Sequence, residues 1–66
     1  MTITLNGRRH DASGIGTVSE LLDKLGLAGR PVVVEYNQEA LLPRECETTA
    51  LGDGDVLEIV QITAGG

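Results

Sequence analysis

The chain closes on Ile62-Thr63-Ala64-Gly65-Gly66, a strand-forming run that tapers into two residues without side chains. Glycine has no Cβ, so its backbone can lie close against another surface and take dihedrals closed to other residues. A carboxylate on Gly66 would sit at the tip of a narrow, flexible arm, over about residues 63–66, and would suit threading into a slot on a partner enzyme. The other reactive residue types are more scattered. Cys46 lies between Glu45 and Glu47, two negative neighbours that disfavour a thiolate, so it reads as a passive, partly buried thiol. His10 has no triad partner nearby in sequence and reads as a solvated strand residue. Asp53 and Asp55 lack the further oxygen ligands that a calcium loop needs and read as a turn. Gly14-Ile15-Gly16 imitates the opening of a dinucleotide-binding loop, but Ser19 stands where the third glycine belongs and no βαβ unit follows. Arg44 carries two readings, a pair with an acid of this chain or a contact with a partner.

Size and composition limit what these residues can do. Sixty-six residues make one small domain, in which folding buries only about 60% of the unfolded chain's surface and leaves little room for a deep catalytic pocket. The 41% apolar content, mostly Leu, Val and Ile, is that of a folded globule. Ten acids against five bases give a net charge of −5, the wrong sign for displacing counterions from nucleic acid phosphates. Tyr36 is the sole aromatic, which argues further against base stacking. Such acidity would instead steer the chain toward a basic partner surface. A single cysteine makes no internal disulfide and has no second soft ligand for a metal. Met1 leads directly into a strand pattern, and no apolar run is long enough to cross a bilayer, so the expectation is a cytoplasmic protein without a membrane association.

The elements that must position the tail can be read from patterning. Met1, Ile3 and Leu5 share one face of a first strand, and Asn6-Gly7 is a hairpin turn returning through Arg8–Asp11 at a solvated edge. Thr17-Val18-Ser19-Glu20 is a capping box, followed by Val18, Leu21, Leu22 and Leu25 on one helical stripe. This predicts a helix from Val18 to Leu25, stopped at Gly26. Val32–Tyr36 is strongly β, Asn37-Gln38-Glu39 turns the chain, and Ala40–Leu42 forms a short strand ended by Pro43. The stretch from Arg44 to Leu51 reads as irregular, and Asp53-Gly54-Asp55 turns into a long final strand, Val56–Ile62. The fold class is α+β: a mixed sheet of about four to five strands packed on one short helix, buried on one face and solvated on the other.

Taken together, the ββαββ order, the helix after Thr17-Val18, the strand ending at Asn37, Pro43-Arg44, Asp53-Gly54-Asp55 and the terminal Ala64-Gly65-Gly66 resemble the ThiS sulfur carrier proteins of thiamin biosynthesis. The resemblance spans the whole chain and implies a ubiquitin-like β-grasp domain. It implies that the chain is a substrate of its partners rather than an enzyme, with no bound cofactor. A ubiquitin-activating-like adenylating enzyme would use ATP to convert the Gly66 carboxylate to an acyl-adenylate. Sulfur, supplied indirectly by a cysteine desulfurase or another donor, would then leave a thiocarboxylate for thiazole synthase. The small subunit of molybdopterin synthase shares the strand-then-Gly-Gly ending and is an alternative. A ubiquitin-like protein modifier and a plain β-grasp interaction module are others.

If Leu57 and Ile59 point into the core, the alternation of a strand sends Val60 and Ile62 outward. With Thr63 and the Ala64-Gly65 tail, these residues form the expected partner interface of a carrier that is monomeric when free.

Overall fold

The computed structural model describes residues 1–63, and Ala64, Gly65 and Gly66 lie outside the described residues. Five strands and two short helices follow in the order β1 (Thr2–Leu5), β2 (Arg8–Asp11), α1 (Val18–Lys24), β3 (Val32–Tyr36), β4 (Glu39–Leu41), α2 (Pro43–Cys46) and β5 (Val56–Gln61). The strands form one sheet in the spatial order β2-β1-β5-β3-β4. The last strand therefore lies at the centre, parallel to β1 through Thr4↔Val56 and Leu5↔Leu57 and antiparallel to β3 from Tyr36↔Leu57 to Val32↔Gln61. This is the ubiquitin-like β-grasp arrangement, a mixed sheet wrapped around a helix.

Local chemistry explains most of the element ends. Asn6 (φ 50°) and Gly7 (φ 81°) supply the two left-handed residues of a hairpin whose twist matches its strands. The capping box closes as expected: Thr17 Oγ1 accepts the Glu20 amide at 3.2 Å, and Glu20 Oε1 accepts the Thr17 amide at 3.1 Å. Leu25 caps the helix rather than extending it, and Gly26 (φ 75°) turns the chain away.

The core lies between α1 and one face of the sheet. Ile3, Val18, Leu21, Val34, Leu57 and Ile59 meet there, with Ala12, Ile15, Cys46 and Leu51 sealing its margins. Met1, grouped by alternation with this face, is exposed at the strand's start.

The final strand β5 ends at Gln61, one residue short of the expected Ile62, and two further expectations need correction. Arg44–Leu51 is not irregular throughout, because Pro43–Cys46 forms the helix α2. Proline at the first helical position loses no intrahelical bond, so Pro43 both ends β4 and opens α2. Glu45 Oε1 reaches back to the Leu42 amide at 2.7 Å and fixes that start. Residues 49–51 then cross beneath the N-terminus of α1, with Val18 N–H on Thr49 O and Leu51 N–H on Gly16 O. The second correction is small: β4 covers Glu39–Leu41, because Asn37 (φ 48°) and Gln38 (φ 72°) make a tight two-residue turn that returns the chain one residue early.

Candidate functional site

The central strand β5 carries the chain to its tail, and its first half is anchored from both sides. Asp55, just before the strand, collects three donors. Its Oδ2 accepts the Tyr36 hydroxyl at 2.6 Å and the Gly52 amide at 2.7 Å, and its Oδ1 accepts Asn37 Nδ2 at 3.2 Å. Partial burial pushes this carboxyl upward, but the hydrogen bonds from Tyr36, Gly52 and Asn37 together outweigh it and hold Asp55 below its ordinary value. The same contact, with some burial and the adjacent negative charge, pushes the Tyr36 phenol up.

The turn asparagines extend this anchorage. Asn37 Oδ1 accepts the Val56 amide at 2.9 Å while the Asn37 amide donates to Val56 O at 2.8 Å. On the other flank β1 turns away at Asn6, and the Asn6 side chain takes over as a substitute strand residue. Its Oδ1 accepts the Ile59 amide at 2.7 Å, and its Nδ2 donates to Ile59 O at 3.1 Å. Asp53 adds a bond to the β1 side, accepting the Thr2 amide at 2.8 Å.

Past Ile59 the strand changes character. Leu57 and Ile59 are 0% and 7% exposed, whereas Val60 and Ile62 are 60% and 54% exposed. Both point to the solvent face, as alternation requires. Val33, the cross-strand partner of Val60, is exposed beside it, so the apolar patch spans two strands. The next outward pair is Glu35 opposite Glu58, two like charges in register. Such a pair weakens a sheet rather than stabilising it. The Ile62 amide still donates to Pro31 O at 2.9 Å, so the strand's β3 flank is held up to its last described turn toward the tail. Thr63 is exposed.

The structure thus brings Val60, Ile62 and Thr63 onto one end of the sheet, while Ala64, Gly65 and Gly66 lie outside the described residues. It separates the remaining reactive side chains from this end. Cys46 is buried, and burial first, then Glu45 and Glu47, push its thiol up. Asp53 and Asp55 act as hydrogen-bond acceptors for backbone and side chains. His10 sits half-buried in β2 opposite Ile3, and Arg44 is exposed on α2. Among the described residues no group of three or more His, Cys, Asp or Glu side chains could hold a metal ion, and no helix is long and apolar enough to cross a membrane. An apolar groove of about 520 Å³, lined by residues including Leu22, Val34, Leu41 and Cys46, opens between α1 and α2 and holds none of the tail-proximal residues. Sequence reasoning missed the second role of Asn6 and Asn37. Each was legible as a turn residue, but their grip on β5 depends on partners 53 and 19 residues away.

Against known proteins, the sequence model of the ThiS family matches residues 3–66. The chain is 39% identical over 66 residues to a thiazole synthase of Paramagnetospirillum magneticum, where it spans 20% of that longer protein. It is 38% identical over 64 residues to the sulfur carrier protein ThiS of Thermus thermophilus, covering 97% of this chain and 98% of that one. In structure it resembles the crystal structure of the thiamine biosynthesis protein ThiS from Geobacter metallireducens, with a TM-score of 0.82 at 35% identity and full coverage of both chains. The solution structure of a thiamine biosynthesis protein from the same organism gives a TM-score of 0.80, covering 100% of this chain and 88% of that one.

Proposed function

The chain belongs to the ThiS family, and on that premise we propose that it is a sulfur carrier for thiamin biosynthesis, loaded as a thiocarboxylate on Gly66. The observation that carries this reading is the design of β5. The strand is fixed to the core through Ile59, exposes Val60 and Ile62, and leads directly into Ala64-Gly65-Gly66.

A carboxylate is a weak electrophile, so it must first acquire a leaving group. On an adenylating enzyme, a Gly66 carboxylate oxygen attacks the α-phosphate of ATP and pyrophosphate departs, giving an acyl-adenylate. The carrier's part is to deliver that oxygen in line, which is largely positioning. A side chain at position 65 or 66 would obstruct the approach, and glycine presents none. Sulfide-level sulfur, delivered as HS⁻ by the donor system, then attacks the acyl carbon, AMP departs with the C–O bond pair, and loss of the S–H proton leaves the thiocarboxylate. Its sulfur is a softer and stronger nucleophile than the oxygen it replaced. In this scheme the chain is a substrate, ATP binds to the activating enzyme, and no cofactor resides on the carrier.

The acceptor is thiazole synthase. The relative in which a stretch matching this chain makes up a fifth of a thiazole synthase favours that assignment over a molybdopterin acceptor, since it carries both on one polypeptide. Val33, Val60 and Ile62 form the docking patch, with Thr63 at its edge.

The test is ATP–pyrophosphate exchange by the adenylating enzyme, with this chain as the carboxylate substrate. Exchange should depend on the chain and vanish when Gly66 is deleted. Ile62→Asp should leave the fold intact and raise the concentration of chain needed for half-maximal exchange. Exchange that survives deletion of Gly66 would rule out this site of activation.

A further inference from the structure

The backbone of β5 carries information beyond its side chains. In a strand, successive residues direct their N–H and C=O groups to alternate flanks. Here the odd-numbered residues face β1. Thr4 N–H donates to Asp55 O, Asn6 N–H donates to Leu57 O, and Ile59 exchanges both its groups with the Asn6 side chain. The even-numbered residues face β3, as the Asn37 amide on Val56 O and the Ile62 amide on Pro31 O show.

The β1 flank runs out first. β1 ends at Leu5, opposite Leu57, and the Asn6 side chain covers one more residue. Gln61 and Thr63 are next in the odd series. Their backbone groups face the side that β1 has vacated, and among the described residues nothing bonds to them there. Meanwhile the β3 flank stays closed as far as Ile62. The exit of the central strand is therefore a half-open edge, two residues long, immediately before the Gly-Gly tail.

We propose that this edge is a docking site for an extended segment of the adenylating enzyme, which adds to the sheet as a short strand beside Gln61 and Thr63. The inference rests on the sulfur-carrier reading and adds how the tail is aimed. Alternating donors and acceptors at strand spacing are matched by extended backbone and not by a helix. The added strand occupies the place of the missing continuation of β1. It fixes the direction of residues 61–63 and hence the line along which the tail leaves. Val60 and Ile62, whose side chains stand on the adjacent solvent face, give the same segment an apolar surface to lie beside.

Proline provides the test, because it removes the backbone donor at one position while its fixed φ and its bias on the preceding residue remain compatible with extended chain. Among the described residues nothing accepts the amides of Gln61 and Thr63, so Gln61→Pro and Thr63→Pro should keep a native melting profile. Ile62→Pro, which breaks the bond to Pro31 O, should not. The affinity of the adenylating enzyme should fall about tenfold for Gln61→Pro and change less than about twofold for Gln61→Ala, which retains the N–H. Equal effects of proline and alanine, or no effect of proline, would overturn the proposal. Amide hydrogen exchange gives an answer even if a proline variant fails to fold. In the wild-type chain the Gln61 and Thr63 amides should exchange fast when free and become protected in the complex. Fast exchange in the saturated complex would refute strand addition. Self-association of the free chain that Gln61→Pro abolishes would assign the edge to a second copy instead and also refute it. Failure here is separable from failure of the carrier reading: at saturating enzyme the Gln61→Pro chain should still be loaded at Gly66, whereas a chain lacking Gly66 should not.

Discussion

The two ends of β5 are built in opposite ways. At its start, Asp55, Asn37 and Tyr36 hold the strand from the β3 side while Asn6 holds it from the β1 side, and Leu57 is sealed in the core. At its end, Val60 and Ile62 stand in solvent beside the exposed Val33 of β3. One continuous segment thus serves both anchorage and presentation. The contrast shows how a chain of 66 residues with a small core can expose apolar surface without losing its fold: the buried side chains and the side-chain anchors of the strand reach as far as Ile59, and the apolar pair Val60 and Ile62 lies beyond them.

Substitutions can break or sharpen this contrast. The largest effect is expected at Leu57→Ala, which should lower stability by about 3 kcal/mol through lost burial and the cavity left behind. Val60→Ala, three residues on, should change stability by less than about 0.5 kcal/mol. Urea melts of the two variants compare the halves directly, and similar losses would erase the distinction. Asn6→Ala comes next. It removes both bonds to Ile59 and places a Cβ residue without asparagine's left-handed tolerance at φ 50°, so a loss of about 1–2 kcal/mol is expected in the same melts. Hydrogen exchange should then show the open edge extended back to Ile59.

Asp55 sets a pH dependence. Its folded pKa lies below the ordinary value of 3.8, so the folded state favours the ionised form. The associated stability is present in full above that ordinary value and is lost as pH falls through the lower folded value. Asp55→Asn should lower stability at neutral pH and flatten this acid-side decline in pH-dependent melts. A decline of unchanged steepness would remove Asp55 from the account. The smallest effect belongs to the solvent face of the strand. Glu58→Gln relieves the repulsion from Glu35 and should raise the Tm by about one to three degrees at low salt, with the gain shrinking as salt is added.

Much of this architecture was legible in the residues. Thr17 and Glu20 announced the helix, Asn6-Gly7 announced the first turn, and the alternation of Leu57, Ile59 and Val60 separated the inner face from the outer one. Those signals are local, and local chemistry decides them. Pro43 reads as a stop after β4, but a proline with Glu45 two residues on also fits a helix start, and that pattern is the available signal for α2. The grip of Asn6 on Ile59 has no local signature at all. It follows from the parallel pairing of β1 with β5, which joins the two ends of the chain. The open flank at Gln61 is equally invisible to patterning, because it depends on where β1 stops relative to β5. The tail was the clearest chemical signal in the sequence, and its residues 64–66 lie outside the described structure.

The central claim is that this fold exists to present Gly66 for loading with sulfur. Its most direct test is the intact mass of the chain after incubation with the adenylating enzyme, ATP and a sulfur source. The account predicts a gain equal to exchanging one oxygen for one sulfur, confined to the C-terminal peptide and absent when Gly66 is deleted. An unchanged mass, under conditions where the same enzyme loads a known ThiS carrier, would contradict it.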